Sequence, residues 1–562
     1  MRFTQGFYPI FGLFLIFVLV CSLFVLPTQK AQALIDDRVK TQNPSIENPT
    51  KDAQAPNNCQ QLKPTLSCTI PANPNRAISP KNTENYIGDF AWQTFVALNW
   101  PADCKGLPKP NYDDRESPRV WEFYNYPENI FLNEGKDPRN EGEVPSIVPP
   151  QCKVAISDEQ LTPIHLTEGE GDPINILMAA SRKPLIDQSG NYVLNEIRIN
   201  PIEVKQIVDK GWYSADNLKN FFEQQAPSLE KAPLFELVCS EKIDQTENKY
   251  PCSEKKEEGA IEIKAAWKIL KEPTEEIKSQ YYTTTRTFSV NSLNKEADLQ
   301  GYPSKKVTVT VPVALIGFHI VQKTSDRGWI WSTFEHKDNA PDDDDDKLPK
   351  SGHYNLYNPN NKCLKKNYSY TENPYLWDDQ FPYAVTGYKL QEKNNLTGQE
   401  SQAEIDCIGT LLSHGLIKPT PSQITRLVPI TEAAKNLNKK WYDKMSASSI
   451  WRHYQLIGIQ WLQGYETPYD KNLRTPQPMQ AANLSQLVNV SLEPFIQTNQ
   501  ENGKSCITCH TFAKLPKTPN LNAIPIESDF SFLLNNAKST NVTSVSSDSD
   551  LFKMKLENSQ PY

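Results

Sequence analysis

The sequence has no surplus of positive charge. Its 59 Lys and Arg stand against 67 Asp and Glu, a net charge of −8. An extended basic surface for a nucleic-acid partner is thereby excluded, and the acidity reads as a device for solubility. Beyond residue 26 no apolar run is long enough to cross a membrane. There is no internal repeat, and no second Cys-x-x-Cys accompanies the one near the carboxyl end. Glycine is scarce beside proline, 22 against 44, which implies many rigid connecting loops. Hydrophobic residues at 38% and aromatics at 10% give a globular composition, and 562 residues suffice for two or more cores.

What is present begins with the amino terminus. Met1 and Arg2 precede an apolar heart from Ile10 to Leu26, and Ala31-Gln32-Ala33 follows with the small-x-small pattern of a signal-peptidase site. Residues 1–33 are read as a signal peptide cleaved after Ala33. The same run of 17 residues just spans a bilayer, so an uncleaved membrane anchor is the alternative. Val20 occupies the place of a small residue in a lipoprotein signal, which weighs against lipid on Cys21. Both readings put the body of the protein outside the cytoplasm, in a periplasm or equivalent lumen.

Export alters the meaning of the cysteines. Cys59, Cys68, Cys104, Cys152, Cys239, Cys252, Cys363 and Cys407 form an even set in an oxidising compartment, expected to pair as disulfides. Pairing of sequence neighbours, such as Cys59 with Cys68 and Cys239 with Cys252, closes the shortest loops.

Residues 34–82, rich in Pro, Asn, Gln and Lys, read as an extended linker. The stretch "DFAWQTFVALNW" from Asp89 has helical spacing. In "AIEIKAAWKIL", Ile261, Ile263, Ala265, Trp267 and Ile269 alternate with polar residues, the mark of a half-buried strand. "VTVTVPVALIGFHIVQK" (307–323) continues the sheet with Val307, Val309, Val311, Val313 and Leu315 on one face, and Pro312 is expected to interrupt it or mark an edge. "GWIWSTFEH" (328–336) is its expected hairpin partner. "PDDDDDK" (341–347) lacks the alternating ligands and glycine of a calcium loop and is read as solvated. Thr431 is expected to cap a helix over "EAAKNLNKKWYDKM", while "IWRHYQLIGIQWL" fits helix and strand equally. The expected fold class is α+β: a β-rich domain over 83–430, then a smaller, mostly helical region over 431–538, then a Ser-rich mobile tail over 539–562.

The chemistry concentrates in "ENGKSCITCHTFAK" (501–514). Zinc needs about four ligands; no second cysteine pair is there to supply them, though histidines from elsewhere in the chain could complete a site. A thioredoxin-type dithiol sits where a strand feeds a helix, whereas the residues before Cys506 are polar and turn-like. Chance placement gives on the order of 0.003 such motifs per chain. Covalent haem remains. On one helical turn Cys506 and Cys509 present two sulfurs to the vinyl groups along one haem edge, and His510 projects over the iron. Haem c is attached outside the cytoplasm, in agreement with the amino terminus.

"SCITCHTFA" resembles the attachment segment of c-type cytochromes, which implies thioether links at Cys506 and Cys509 and His510 as proximal iron ligand. "FAWQTFVALNWP", "GFHIVQKT", "WIWSTFEHKDNAP" and "DFSFLL" resemble scattered blocks of large, exported, single-haem bacterial proteins of the cytochrome c family, a class to which no reaction is attached. Small c-type domains carry an axial methionine well after the histidine. Met554 has such a separation but follows the Ser-rich stretch. Only 52 residues follow His510, so the segment is expected to pack on the sheet domain rather than fold alone. Met479, Met445, His319, His336 and His453 are the other candidates for a second ligand. His319, by strand parity on the apolar face of 307–315, reads first as a hydrogen-bonded core histidine. Carbonyls at Pro516 or Pro519 are candidates to orient His510 through its Nδ1–H.

Two function classes follow: electron transfer with a redox partner protein, or a haem enzyme with an open iron face acting on peroxide, oxygen or a nitrogen oxide. Haem-ligand patterns favour the first, although the roughly 450 residues outside the haem segment exceed what a carrier needs.

Overall fold

Asn82 opens the first long helix by accepting a hydrogen bond from the Asn85 backbone at 3.1 Å. From there a computed structural model describes most of the chain: residues 66–75, 82–139, 144–152, 177, 183–225, 237, 259–293, 304–324, 327–344, 347–378, 382–388, 406–412, 415–461, 486–498, 505–510, 513, 515–516 and 528–540. Residues 1–33, read above as a signal segment, most of residues 34–82, the tail beyond 540, Met479 and Met554 lie outside the described residues.

In chain order the elements are α1 (Thr83–Leu98), β1 (Leu194–Ile199), α2 (Pro201–Asp209), α3 (Ala215–Gln225), β2 (Ile261–Ile269), α4 (Glu275–Gln280), β3 (Thr283–Leu293), β4 (Ser304–Thr324) and β5 (Gly328–His336). They continue with β6 (Thr371–Trp377), β7 (Ala384–Tyr388), β8 (Gly409–Leu411), β9 (Leu416–Pro419), α5 (Glu432–Tyr442), β10 (Tyr454–Trp461) and α6 (Cys506–His510). The ten strands form one sheet, so the chain is β-rich with few helices.

β4 is the spine of that sheet. β3 pairs with its first half and β5 with its second along one edge, while β2 takes the other edge from Val313 onward. The β4–β5 hairpin runs in the expected antiparallel register, Thr324 opposite Gly328. Pro312 does not interrupt the strand. It faces Thr285 on β3 one residue before β2 begins, and its carbonyl accepts from Leu270 N at 2.9 Å on the β2 side. Its missing N–H therefore points where β4 has no strand partner.

One face of the sheet is covered by α1 and α5. Trp92 stacks on Trp441 with centroids 5.9 Å apart, and Phe95 stacks on Phe334 at 4.2 Å. A Cβ on Gly88 would come within 2.3 Å of Leu437, so glycine here lets the two helices close up. Thr431 caps α5 as expected, accepting from Ala434 N, and Met445 lies in this core, its expected role. A second apolar cluster on the opposite face gathers α2, α3, Trp329, Trp331 and, from the carboxyl-terminal chain, Ile507, Leu515, Phe530, Leu533, Leu534 and Ala537.

The expectation of a mostly helical carboxyl-terminal region is met only in α5 and α6. "YQLIGIQW", left open between helix and strand, is β10 and pairs with β5. Its aromatic and β-branched residues suit that half-buried position. Sequence-neighbour pairing gives the disulfides observed, Cys104–Cys152 and Cys363–Cys407, which fit an oxidising compartment. Cys68 is also disulfide-bonded, while Cys59, Cys239 and Cys252 lie outside the described residues. Aspartates of the acidic loop meet basic partners, Asp342 with Arg426 and Asp343 with Lys366.

Under α1 lies a buried ionic lattice. Glu196 on β1 accepts from Arg198 at 2.7 Å, Arg286 at 2.9 Å and the Trp267 indole at 2.7 Å. Burial alone would raise its pKa, but Arg286 and Arg198 together hold it down to about 2. Glu196→Ala leaves both guanidiniums without this carboxylate in the interior. It is expected to lower the unfolding free energy by about 3–5 kcal/mol in urea titrations. A loss below about 1 kcal/mol would show that the lattice is readily replaced by solvent.

Candidate functional site

A single irregularity decides which side chains of β4 face the carboxyl-terminal segment. Trp267 on β2 pairs with Leu315, but its neighbour Ala266 pairs with Gly317, leaving Ile316 as an extra residue. Before this bulge Val311, Val313 and Leu315 enter the core under α1; after it Phe318 and Ile320 do. Strict alternation would place His319 with the first group. The bulge turns it to the other face, beside its cross-strand neighbour Lys264. There His319 Nε2 lies 2.8 Å from Glu493 Oε1, so the hydrogen-bonded histidine is found, on the face opposite to the expected one.

Glu493 reaches this place because the chain around it is docked on the sheet. Asn489 donates to Thr333 Oγ1 at 2.9 Å and to the Phe334 carbonyl at 2.8 Å. A Cβ on Gly317 would meet Ser491 Oγ at 2.1 Å, so glycine is needed for the approach. Burial opposes the charge on Glu493, yet His319 and Lys264 more than offset it and hold the carboxyl below its ordinary range.

The motif sits next to this cluster on α6. Ser505 caps the turn, its Oγ accepting from Thr508 N at 3.2 Å, and Cys509 N donates to the Ser505 carbonyl at 3.1 Å. Ile507 is buried, with its N–H directed at Gln460 Oε1 of β10. This anchor fixes the turn and leaves Cys506, Cys509 and His510 half-buried on its other sides. The two thiols are not joined to each other. Burial, reinforced by Glu493 and Cys509, pushes the Cys506 thiol well above its usual range. A redox dithiol works through a depressed pKa, so this turn is unlike one. Among the described residues no three His, Cys, Asp or Glu side chains converge on a metal position, as a zinc site would require.

His510 is held from several directions. Its Nδ1 lies 2.6 Å from the Phe530 carbonyl, with Trp331 and Phe532 rings at 5.7 and 5.3 Å between centroids. A carbonyl only accepts, so Nδ1 carries the proton and Nε2 keeps its lone pair. Burial dominates the imidazole's titration and lowers its pKa to about 4, with His319 acting in the same direction. The ring is therefore neutral at pH 7, the form that binds iron.

The Phe530 carbonyl faces His510 because Asp529 and Phe530 both take left-handed backbone angles, φ 51° and 64°. Such a pair requires outside support. Lys323 of β4 supplies it by donating to both Asp529 oxygens at 2.9 and 2.7 Å, and Leu237 N donates to the same carboxylate at 2.9 Å. The orienting carbonyl thus belongs to Phe530 and not to Pro516; Pro519 lies outside the described residues.

Of the candidate second ligands, the structure brings His319 to the motif: it acts electrostatically on His510, as do Glu493 and Lys264. His336 and His453 stack on each other at 5.9 Å, and His336 stacks on Tyr281 at 3.8 Å. His336 stands five residues from Trp331 along β5, roughly 16 Å at strand rise, and both histidines have structural surroundings.

Searches against protein-family models, curated proteins and solved structures find no match. The site therefore rests on its own geometry. Sequence reading missed Lys264, Lys323, Trp331, Glu493 and Asp529. Trp331, Lys323 and Asp529 do lie in "WIWSTFEHKDNAP", "GFHIVQKT" and "DFSFLL", segments whose resemblance had marked them without giving a role.

Asp529→Ala strands a buried ammonium and releases the turn beneath His510. A loss of about 3–5 kcal/mol is expected in urea unfolding, with most of it restored in the Asp529→Ala/Lys323→Met double variant. Equal losses in the single and double variants would contradict the ion-pair account.

Proposed function

We propose that this chain holds one haem c outside the cytoplasm, through thioethers at Cys506 and Cys509 with His510 as proximal ligand, and transfers electrons with a redox partner protein. One observation carries the reading. Directly after two cysteines on a single turn stands an imidazole whose Nδ1–H is committed to the Phe530 carbonyl, leaving Nε2 as the coordinating nitrogen. When bound, the haem supplies one-electron iron chemistry. The protein's own groups fix the ring plane through Trp331 and Phe532, hold the attachment turn on β10 through Ile507, and set a polar cluster beside it.

His319 is the second ligand this arrangement favours. With Nε2 committed to Glu493, Nδ1 is the nitrogen left to coordinate, and a carboxylate behind an imidazole is a common way of orienting a metal-binding histidine. The resemblance to large exported cytochromes, the disulfides and the amino-terminal signal agree on an extracytoplasmic location. A net charge of −8 suits docking to a basic redox partner.

The same Lys264–His319–Glu493 cluster favours a second reading. If the sixth position is open, His319 and Glu493 are an acid–base pair next to it, and the protein is an enzyme for peroxide, oxygen or a nitrogen oxide. Absorption spectra of the mature protein separate the two. Electron transfer predicts a six-coordinate, low-spin spectrum unmoved by cyanide or carbon monoxide, converted by His319→Ala to a high-spin form that takes up both. A high-spin, ligand-binding spectrum in the unaltered protein would sink the carrier reading and favour the enzyme.

A further inference from the structure

We propose that Glu203 and Glu262 form a proton site coupled to the redox centre at His510, taking up one proton from solvent when that centre gains an electron. The proposal rests on the haem reading above and adds to it a group that touches neither the attachment turn nor His319.

Glu203 lies in the first turn of α2 and is fully buried, yet neither of its carboxylate oxygens meets a hydrogen-bond donor among the described residues. What it meets is Glu262 of β2, whose Oε1 is likewise without a donor. Two carboxyl groups within hydrogen-bond reach require a proton between them. The Ser531 hydroxyl hydrogen-bonds Glu262.

Charge bookkeeping reaches the same conclusion. Three carboxylates gather here, Glu203, Glu262 and Asp529, against one ammonium, Lys323. Asp529 and Lys323 neutralise one another in a bidentate pair, so the two glutamates would carry two uncompensated negative charges in the interior. An interior that cannot solvate them keeps at least one proton on the pair. Burial and mutual repulsion push Glu203 well above the ordinary carboxyl range. Burial first, with Asp529 adding, raises Glu262 to about 7. The pair therefore gives up its first proton near neutrality, through Glu262, and holds its second, on Glu203, to higher pH.

The coupling has a physical route. Ser531 follows Phe530, whose carbonyl holds His510, and Asp529 precedes it, so one short turn touches both the glutamates and the imidazole. An added electron makes the surroundings more negative and raises the pKa of the pair. Electron and proton then balance: the electron comes from the redox partner and the proton from bulk water. The groups facing the pair are the Asp529 carboxylate and Ser531 hydroxyl from the turn, Lys323 from β4, and Lys264 further along β2 toward His319 and Glu493. A like-charged pair gives no stability that apolar residues would not.

The test is a redox titration of the haem-bearing protein from about pH 5 to pH 9, with Glu262→Gln and Glu203→Gln beside it. The midpoint potential is expected to fall as pH rises through neutrality, because the proton that stabilises the reduced form is lost. The limiting slope is about 59 mV per pH unit, a tenfold change in proton concentration for one electron. Both variants, near-isosteric with the native side chains, should flatten that slope. Redox-difference infrared spectra should show a protonated carboxyl band that appears on reduction and vanishes in Glu262→Gln. A pH-independent potential in the unaltered protein, or a slope that survives in both variants, would overturn the proton site and leave the haem reading standing. Purified protein without covalent haem would overturn both.

Discussion

The site depends on one backbone oxygen. Phe530 O fixes the tautomer and the direction of His510, and it can do so only while two successive residues stay left-handed. That conformation is held from the sheet, by Lys323 at the end of β4 through both oxygens of Asp529. A buried ion pair in the second cluster thus settles the chemistry of an imidazole half-exposed at the surface. The attachment turn alone, five residues long, could not hold itself in place.

The two faces of the sheet divide the work. On the face under α1 and α5, stacked aromatic rings and the Glu196 lattice fill the interior. The opposite face carries polar and ionisable groups in unusual number: Glu262, Lys264, His319 and Lys323 stand on two adjacent strands. Two of them are matched by carboxylates that the carboxyl-terminal chain brings, Glu493 to His319 and Asp529 to Lys323. The carboxyl end is therefore part of the sheet's second layer.

Much of this was legible in the sequence. Alternation marked β2 and the first part of β4, a hairpin link marked β5, helical spacing marked α1, and Thr431 announced α5, because each signal is local. The motif singled out Cys506, Cys509 and His510 by spacing alone, and one short helix carries all three. What escaped was non-local. Parity along β4 reverses at Ile316, and no residue type declares a bulge, so His319 was assigned to the wrong face. Of the two outcomes Pro312 allowed, the structure takes the edge: the strand continues, with β2 pairing only from Val313. Residue type also could not show that Phe530, an apolar residue, contributes its carbonyl rather than its ring. Partners 20 residues apart in sequence for His510, and 206 for Lys323 and Asp529, are fixed only by the fold.

The central claim is chemical and can be read by mass. Mature protein produced with a haem-attachment system, digested and examined by mass spectrometry, should give the peptide containing residues 506–510 with one haem of added mass and both cysteines blocked to alkylation. The same peptide at its unmodified mass, with Cys506 and Cys509 open to alkylation or joined as a disulfide, would contradict the account.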